Sequence, residues 1–87
     1  MRVDLSHLKN PAIGWDVVVK AAADGGEKIS SVTVVVNGGT IAQESPNGVS
    51  SWNRTFRQQG YYPGKNTVKV EITNDKGEDT LGEDTWE

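Results

Sequence analysis

The chain contains one histidine, His7, and no cysteine. A catalytic thiol, a thiolate metal site and a disulfide are therefore absent, and acid–base chemistry would fall to His7 or to the carboxylates. No nucleophile motif surrounds His7, so a triad cannot be assembled on it, and the reading is a histidine of the first strand. Two carboxylate pairs, Glu78-Asp79 and Glu83-Asp84, have the composition of an acid–base couple. They lie on a polar tail without the apolar surroundings that keep a general acid protonated, which reads as a solvated acidic end.

Two turns carry further oxygen ligands, Asp24 and Glu27 in one and Asp75, Glu78 and Asp79 in and after the other. Neither has a contiguous calcium-loop spacing, and Asp and Asn favour turns for backbone reasons alone. The aromatic residues raise a different chemistry, because sugars stack on exposed rings. Trp15 and Trp52 begin alternating apolar faces and read as core, which leaves Tyr61, Tyr62 and Trp86 as the candidate binding surface. The tyrosines have a second use, closing one pole of a core with a hydroxyl bonded to backbone. Asn53-Arg54-Thr55 matches the glycosylation sequon but, without a secretion signal, reads as coincidence.

The elements that must position these groups are strands. Trp15, Val17, Val19, Ala21 and Ala23 alternate with Asp16, Val18, Lys20 and Ala22, the period-two pattern of a strand with its tryptophan face inward. Ile29 to Asn37 sets Val32, Val34 and Val36 on one face, and Thr67 to Thr73 does the same with Val68, Val70 and Ile72. Asn37-Gly38-Gly39 predicts a hairpin into a short edge strand at Thr40 to Gln43. Ser51 to Gln59 turns only Trp52 and Phe56 inward, as an edge or twisted strand would. The core expected from these patterns is Trp15, Val17, Val19, Val34, Val36, Trp52, Phe56, Val68, Val70 and Ile72, with Val32 beside it. Residues 1–10 read as a strand or arm, and residues 79–87 as an acidic last strand or a frayed tail.

The 87 residues suffice for a single domain with one thin core. A formal net charge of −3, with the basic residues spread singly, argues against nucleic acid. No apolar run approaches a membrane span, and residues 1–10 lack the apolar centre of a signal peptide, so neither membrane insertion nor export is read from this chain. If it is a piece of a longer exported protein, the compartment is extracellular or periplasmic.

The strand ending in Ala22-Ala23-Asp24, the run Ile29 to Gly38, the segment Tyr62-Pro63-Gly64-Lys65-Asn66-Thr67-Val68-Lys69-Val70 and the closing Thr73-Asn74-Asp75-Lys76-Gly77 resemble bacterial immunoglobulin-like and polycystic-kidney-disease-type modules. The resemblance covers about Trp15 to Thr80. It implies an all-β, immunoglobulin-like antiparallel β-sandwich of six to seven strands with Greek-key connections. In such a sandwich the two acidic turns share a pole, bringing Asp24 and Glu27 near Asp75, Glu78 and Asp79. The expectation is an ion-free pole in which Lys28 and Lys76 moderate the repulsion, with calcium as the alternative. No cofactor is assigned. The functional expectation is a non-catalytic module for protein interaction, adhesion or spacing, its partner another protein or a neighbouring domain. A carbohydrate-binding module taking a glycan, and a subunit pairing through an exposed sheet edge, are the alternatives.

Overall fold

The computed structural model describes residues 1–10, 14–57 and 64–87. Its alternating runs form seven strands, β1 (Arg2–Asn10), β2 (Gly14–Ala22), β3 (Ile29–Val36), β4 (Gly39–Glu44), β5 (Ser51–Arg57), β6 (Asn66–Asn74) and β7 (Asp79–Trp86). No helix occurs among the described residues. The strands make two antiparallel sheets, one ordered β1-β2-β5 and the other β4-β3-β6-β7. The β3–β4 hairpin turns on Asn37 and Gly38, whose φ angles of 49° and 83° are both positive. That is the primed turn whose twist matches the flanking strands, and asparagine and glycine are the residues that tolerate it.

The two sheets close on one core. In the centre Val32 faces Ile72, Val34 faces Val70 and Val36 faces Val68 across the β3–β6 ladder, while Val17, Val19 and Ala21 of β2 cover them from the other sheet. Full burial of one such side chain is worth about 1.5–3 kcal/mol. Trp15 and Phe56, both expected in the core, are only half-buried and pack against its rim. Trp15 is the second residue of β2, and Phe56 sits next to the end of edge strand β5. Ile29 and Trp86 join the buried cluster instead. Ile29 is out of phase with Val32, and a register shift between Ile29 and Ser31 returns it to the inner face.

The tail 79–87 is not frayed, because β7 pairs with β6 from Asp79 opposite Thr73 to Trp86 opposite Asn66. Its inner face packs against β1, and there Gly82 lets the two strands approach. A Cβ at Gly82 would stand 2.9 Å from Val3 Cγ1 and 3.4 Å from Leu5 Cδ1. Alanine would gain about 0.4–1 kcal/mol from the stiffer unfolded chain, but overpacking costs about 1–3 kcal/mol and wins. Gly82→Ala is therefore expected to lower stability by about 1 kcal/mol in urea unfolding and to speed amide exchange along β1. A raised midpoint would mean that β1 yields freely.

Candidate functional site

His7 projects from the inner face of β1 toward β7 in the opposite sheet. Its Nδ1 lies 2.7 Å from Asp84 Oδ2, its ring stacks on Trp86 with centroids 4.3 Å apart and 12° between planes, and Trp15 meets it edge-on at 5.4 Å. A carboxylate on Nδ1 fixes the imidazole so that Nε2 presents a lone pair, the arrangement of a general base or of a buttressed metal ligand. Among the described residues no hydroxyl is hydrogen-bonded to that ring. Held on one side by a carboxylate and on two by indoles, His7 acts as a cross-sheet clasp between residues 77 positions apart.

Trp86, a candidate surface aromatic in the sequence, is therefore corrected: it is 7% exposed and forms the floor of this clasp. Its Nε1 is buried and has no hydrogen-bond partner among the described residues. Tyr61 and Tyr62 lie outside the described residues. The other side of the sandwich has its own clasp. Glu44 of β4 accepts hydrogen bonds from Trp52 Nε1 at 3.3 Å and Arg54 Nη2 at 2.9 Å, and the Arg54 guanidinium lies 5.2 Å from the Trp52 ring centroid. Asn53 of the sequon is exposed on the same edge strand, β5.

The acidic pole is assembled across the two turns, around Asn74. Asn74 is buried, and its Nδ2 donates to Glu27 Oε1 at 2.7 Å and Glu78 Oε1 at 2.9 Å. Its Oδ1 accepts from the backbone N–H of Lys76 and of Glu78, both at 2.9 Å. The turns are also tied directly, since Asp75 N–H donates to Lys28 O at 3.0 Å and Lys28 N–H to Asp75 Oδ1 at 3.3 Å. Asp79 stands apart at the start of β7, accepting from Thr73 Oγ1 at 2.7 Å. Among the described residues the ammonium groups of Lys28 and Lys76 join no ion pair. The cation at Asp24 and Glu27 is the α-ammonium of Met1, at 2.6 and 3.2 Å.

Hydrogen bonding from Asn74, then from the Asp24 backbone N–H, then from that ammonium, lowers the Glu27 pKa from 4.5 to about 2. Hydrogen bonds to the Asp24 carboxylate and then to the Glu27 carboxylate raise the α-ammonium pKa. Among the described residues, no group of three or more His, Asp or Glu side chains is arranged to hold a metal ion. Glu27, Asp75 and Glu78 accept from N–H groups of the two turns, and Asp24 accepts from the α-ammonium of Met1.

The outer face of the four-stranded sheet is open. A depression of about 430 Å³ runs across it between Thr33 and Val35 of β3, Lys69 and Glu71 of β6, and Leu81 and Glu83 of β7. Leu81 is 73% exposed there, and among the described residues the lining sets Lys69, Glu71 and Glu83 beside Thr33 and Val35, with no aromatic ring. Compared with known proteins, the chain matches no protein family, no curated protein and no solved structure.

Proposed function

We propose that this chain is a non-catalytic, immunoglobulin-like module that spaces and engages other protein domains. One observation carries the reading. Arg2, where β1 begins, pairs with Ala22 near the acidic pole, whereas β7 ends with Trp86 opposite Asn66 at the other pole. The chain thus enters at one end of a body 41 × 19 × 17 Å across and leaves at the other, the geometry of a link in a string of domains. The order β1-β2-β5 against β4-β3-β6-β7 supports the immunoglobulin-like assignment, with the fourth strand beside the third rather than the fifth. Commitment of the single histidine to Asp84 and two indoles supports a structural use of that ring.

A tandem fusion of two whole chains, measured by small-angle scattering at high dilution, tests the spacer geometry. The expected maximum dimension is about twice that of one domain, as for two rigid bodies end to end. A folded-back pair, with a maximum dimension close to that of one domain, would remove the basis for the spacer reading.

A further inference from the structure

Each sheet ends in two edge strands whose outward N–H and C=O groups are templates for another strand, and edges are ordinarily guarded by charge or by cover. Three of the four are guarded by charge. β1 carries Arg2, Asp4 and Lys9, β5 carries Arg54 and Arg57, and β7 carries Asp79, Glu83 and Asp84. β1 and β7 also cover one another through the His7–Asp84 clasp and the Gly82 contact. β4 is guarded least: from Gly39 to Gln43 it bears no charge, Ile41 is 39% exposed, and its guards are the register shift that leaves Ile41 out of the ladder with β3 and the Glu44 clasp to β5. Its one charged residue, Glu44, is folded back onto Arg54 and Trp52.

We infer that β4 is a self-association edge, on which a second copy of this chain pairs antiparallel to extend the four-stranded sheet across a two-fold axis. The inference deepens the interaction reading above and rests on it. Charge selects the partner and the geometry. Half of the twelve acidic residues fall between Asp75 and Glu87, on and before β7, with Lys76 the only base among them. β7 is the opposite edge of the sheet from β4. A β4–β4 pair sets the two β7 strands about 34 Å apart at about 4.8 Å per strand, several screening lengths at physiological salt. Edge pairing at β7 would press the two acidic rows together instead. In the antiparallel register that sets Ile41 opposite Ala42, each Glu44 faces the other copy's Gly39, so no like charges are opposed. The ladder shift between Val34 and Val35 twists part of this edge, and a six-residue strand makes a small contact, so the dimer is weak, with a dissociation constant of about 100 µM.

Sedimentation equilibrium of the whole chain from about 10 µM to about 1 mM reads the outcome. The mass is expected to rise toward two copies and stop, because an isologous contact closes. Ile41→Lys and Thr40→Lys should each weaken association at least about tenfold by charging the edge. Leu81→Lys adds the same charge near the other edge and should leave association intact. Thr40 is exposed, so its variant keeps the test valid if Ile41→Lys fails to fold. A monomeric mass throughout, a mass climbing past two copies, or equal weakening by Leu81→Lys each overturns the inference. Linked copies meet at about millimolar effective concentration whatever the dilution, so the tandem fusion carries Thr40→Lys in both copies; its dimension then follows the poles rather than the edges, and none of these outcomes touches it.

Discussion

Replacing Trp86 with alanine is expected to cost about 3–5 kcal/mol, the range for truncating a buried aromatic residue, a large share of the stability of a domain this size. Trp86 anchors the end of β7, packs under the imidazole of His7, and lies 5.5 Å from the ring of Trp15. Its removal opens the seam between the two sheets at that pole. Phenylalanine at the same position should behave differently. The smaller ring forfeits about 1–2 kcal/mol of buried surface, but it also removes an indole N–H that is buried without a partner among the described residues, which costs the native fold about 1–3 kcal/mol. The two terms nearly offset, so Trp86→Phe is expected within about 1 kcal/mol of the wild type. Urea unfolding of the two variants checks both values. An alanine variant that loses less than about 0.5 kcal/mol would place Trp86 among surface substitutions and β7 among frayed ends.

That expectation runs against the grain of the sequence, for a physical reason. The inward positions of β7 are Thr80, Gly82, Asp84 and Trp86, while its one aliphatic residue, Leu81, points to solvent. Read alone, the strand has the polar face in and the apolar residue out. It makes sense only against β1, whose Val3 and Leu5 fill the space above Gly82 and whose His7 satisfies Asp84. Such complementarity between strands at opposite ends of the chain leaves no periodic trace in either. By contrast β2, β3 and β6 bury valines on one face and meet valines across the core, so alternation alone locates them. Ile29 marks the boundary of that method, since a single register shift moves it to the opposite phase.

The acidic pole divides in the same way. Glycine, aspartate and asparagine signal both turns, and the immunoglobulin-like resemblance implies that they meet. What the sequence does not carry is the role of Asn74, one turn asparagine among several, nor the conversion of a presumed repulsive cluster into a hydrogen-bonded one. The difference lies in backbone geometry, which aims the Lys76 and Glu78 N–H groups at a single amide oxygen.

Asn74→Ala is accordingly expected to cost about 3 kcal/mol at neutral pH. Four side-chain hydrogen bonds disappear, two of them to carboxylates, and each neutral one contributes about 1 kcal/mol with more for the charge-assisted pair. Partial rehydration of the exposed turn groups holds the total below the simple addition. The substitution should also change how the fold answers acid. In the native protein the Glu27 pKa is depressed from 4.5 to about 2, so its contribution is fully present above about pH 4.5 and is lost as pH falls toward about 2. The Asn74 amide is the largest cause of that depression, and without it the Glu27 carboxyl moves back up toward its ordinary range. Less of the variant's stability is then left to lose between pH 4.5 and 2, so its unfolding curve across that window should be flatter than the wild type's. Glu27→Gln should show the same flattening with a smaller loss at neutral pH than Asn74→Ala, because it forfeits the contribution of the charge while its side-chain amide oxygen can still accept from Asn74. Parallel curves for the wild type and both variants below pH 4.5 would mean that Glu27 does not couple the pole to acid.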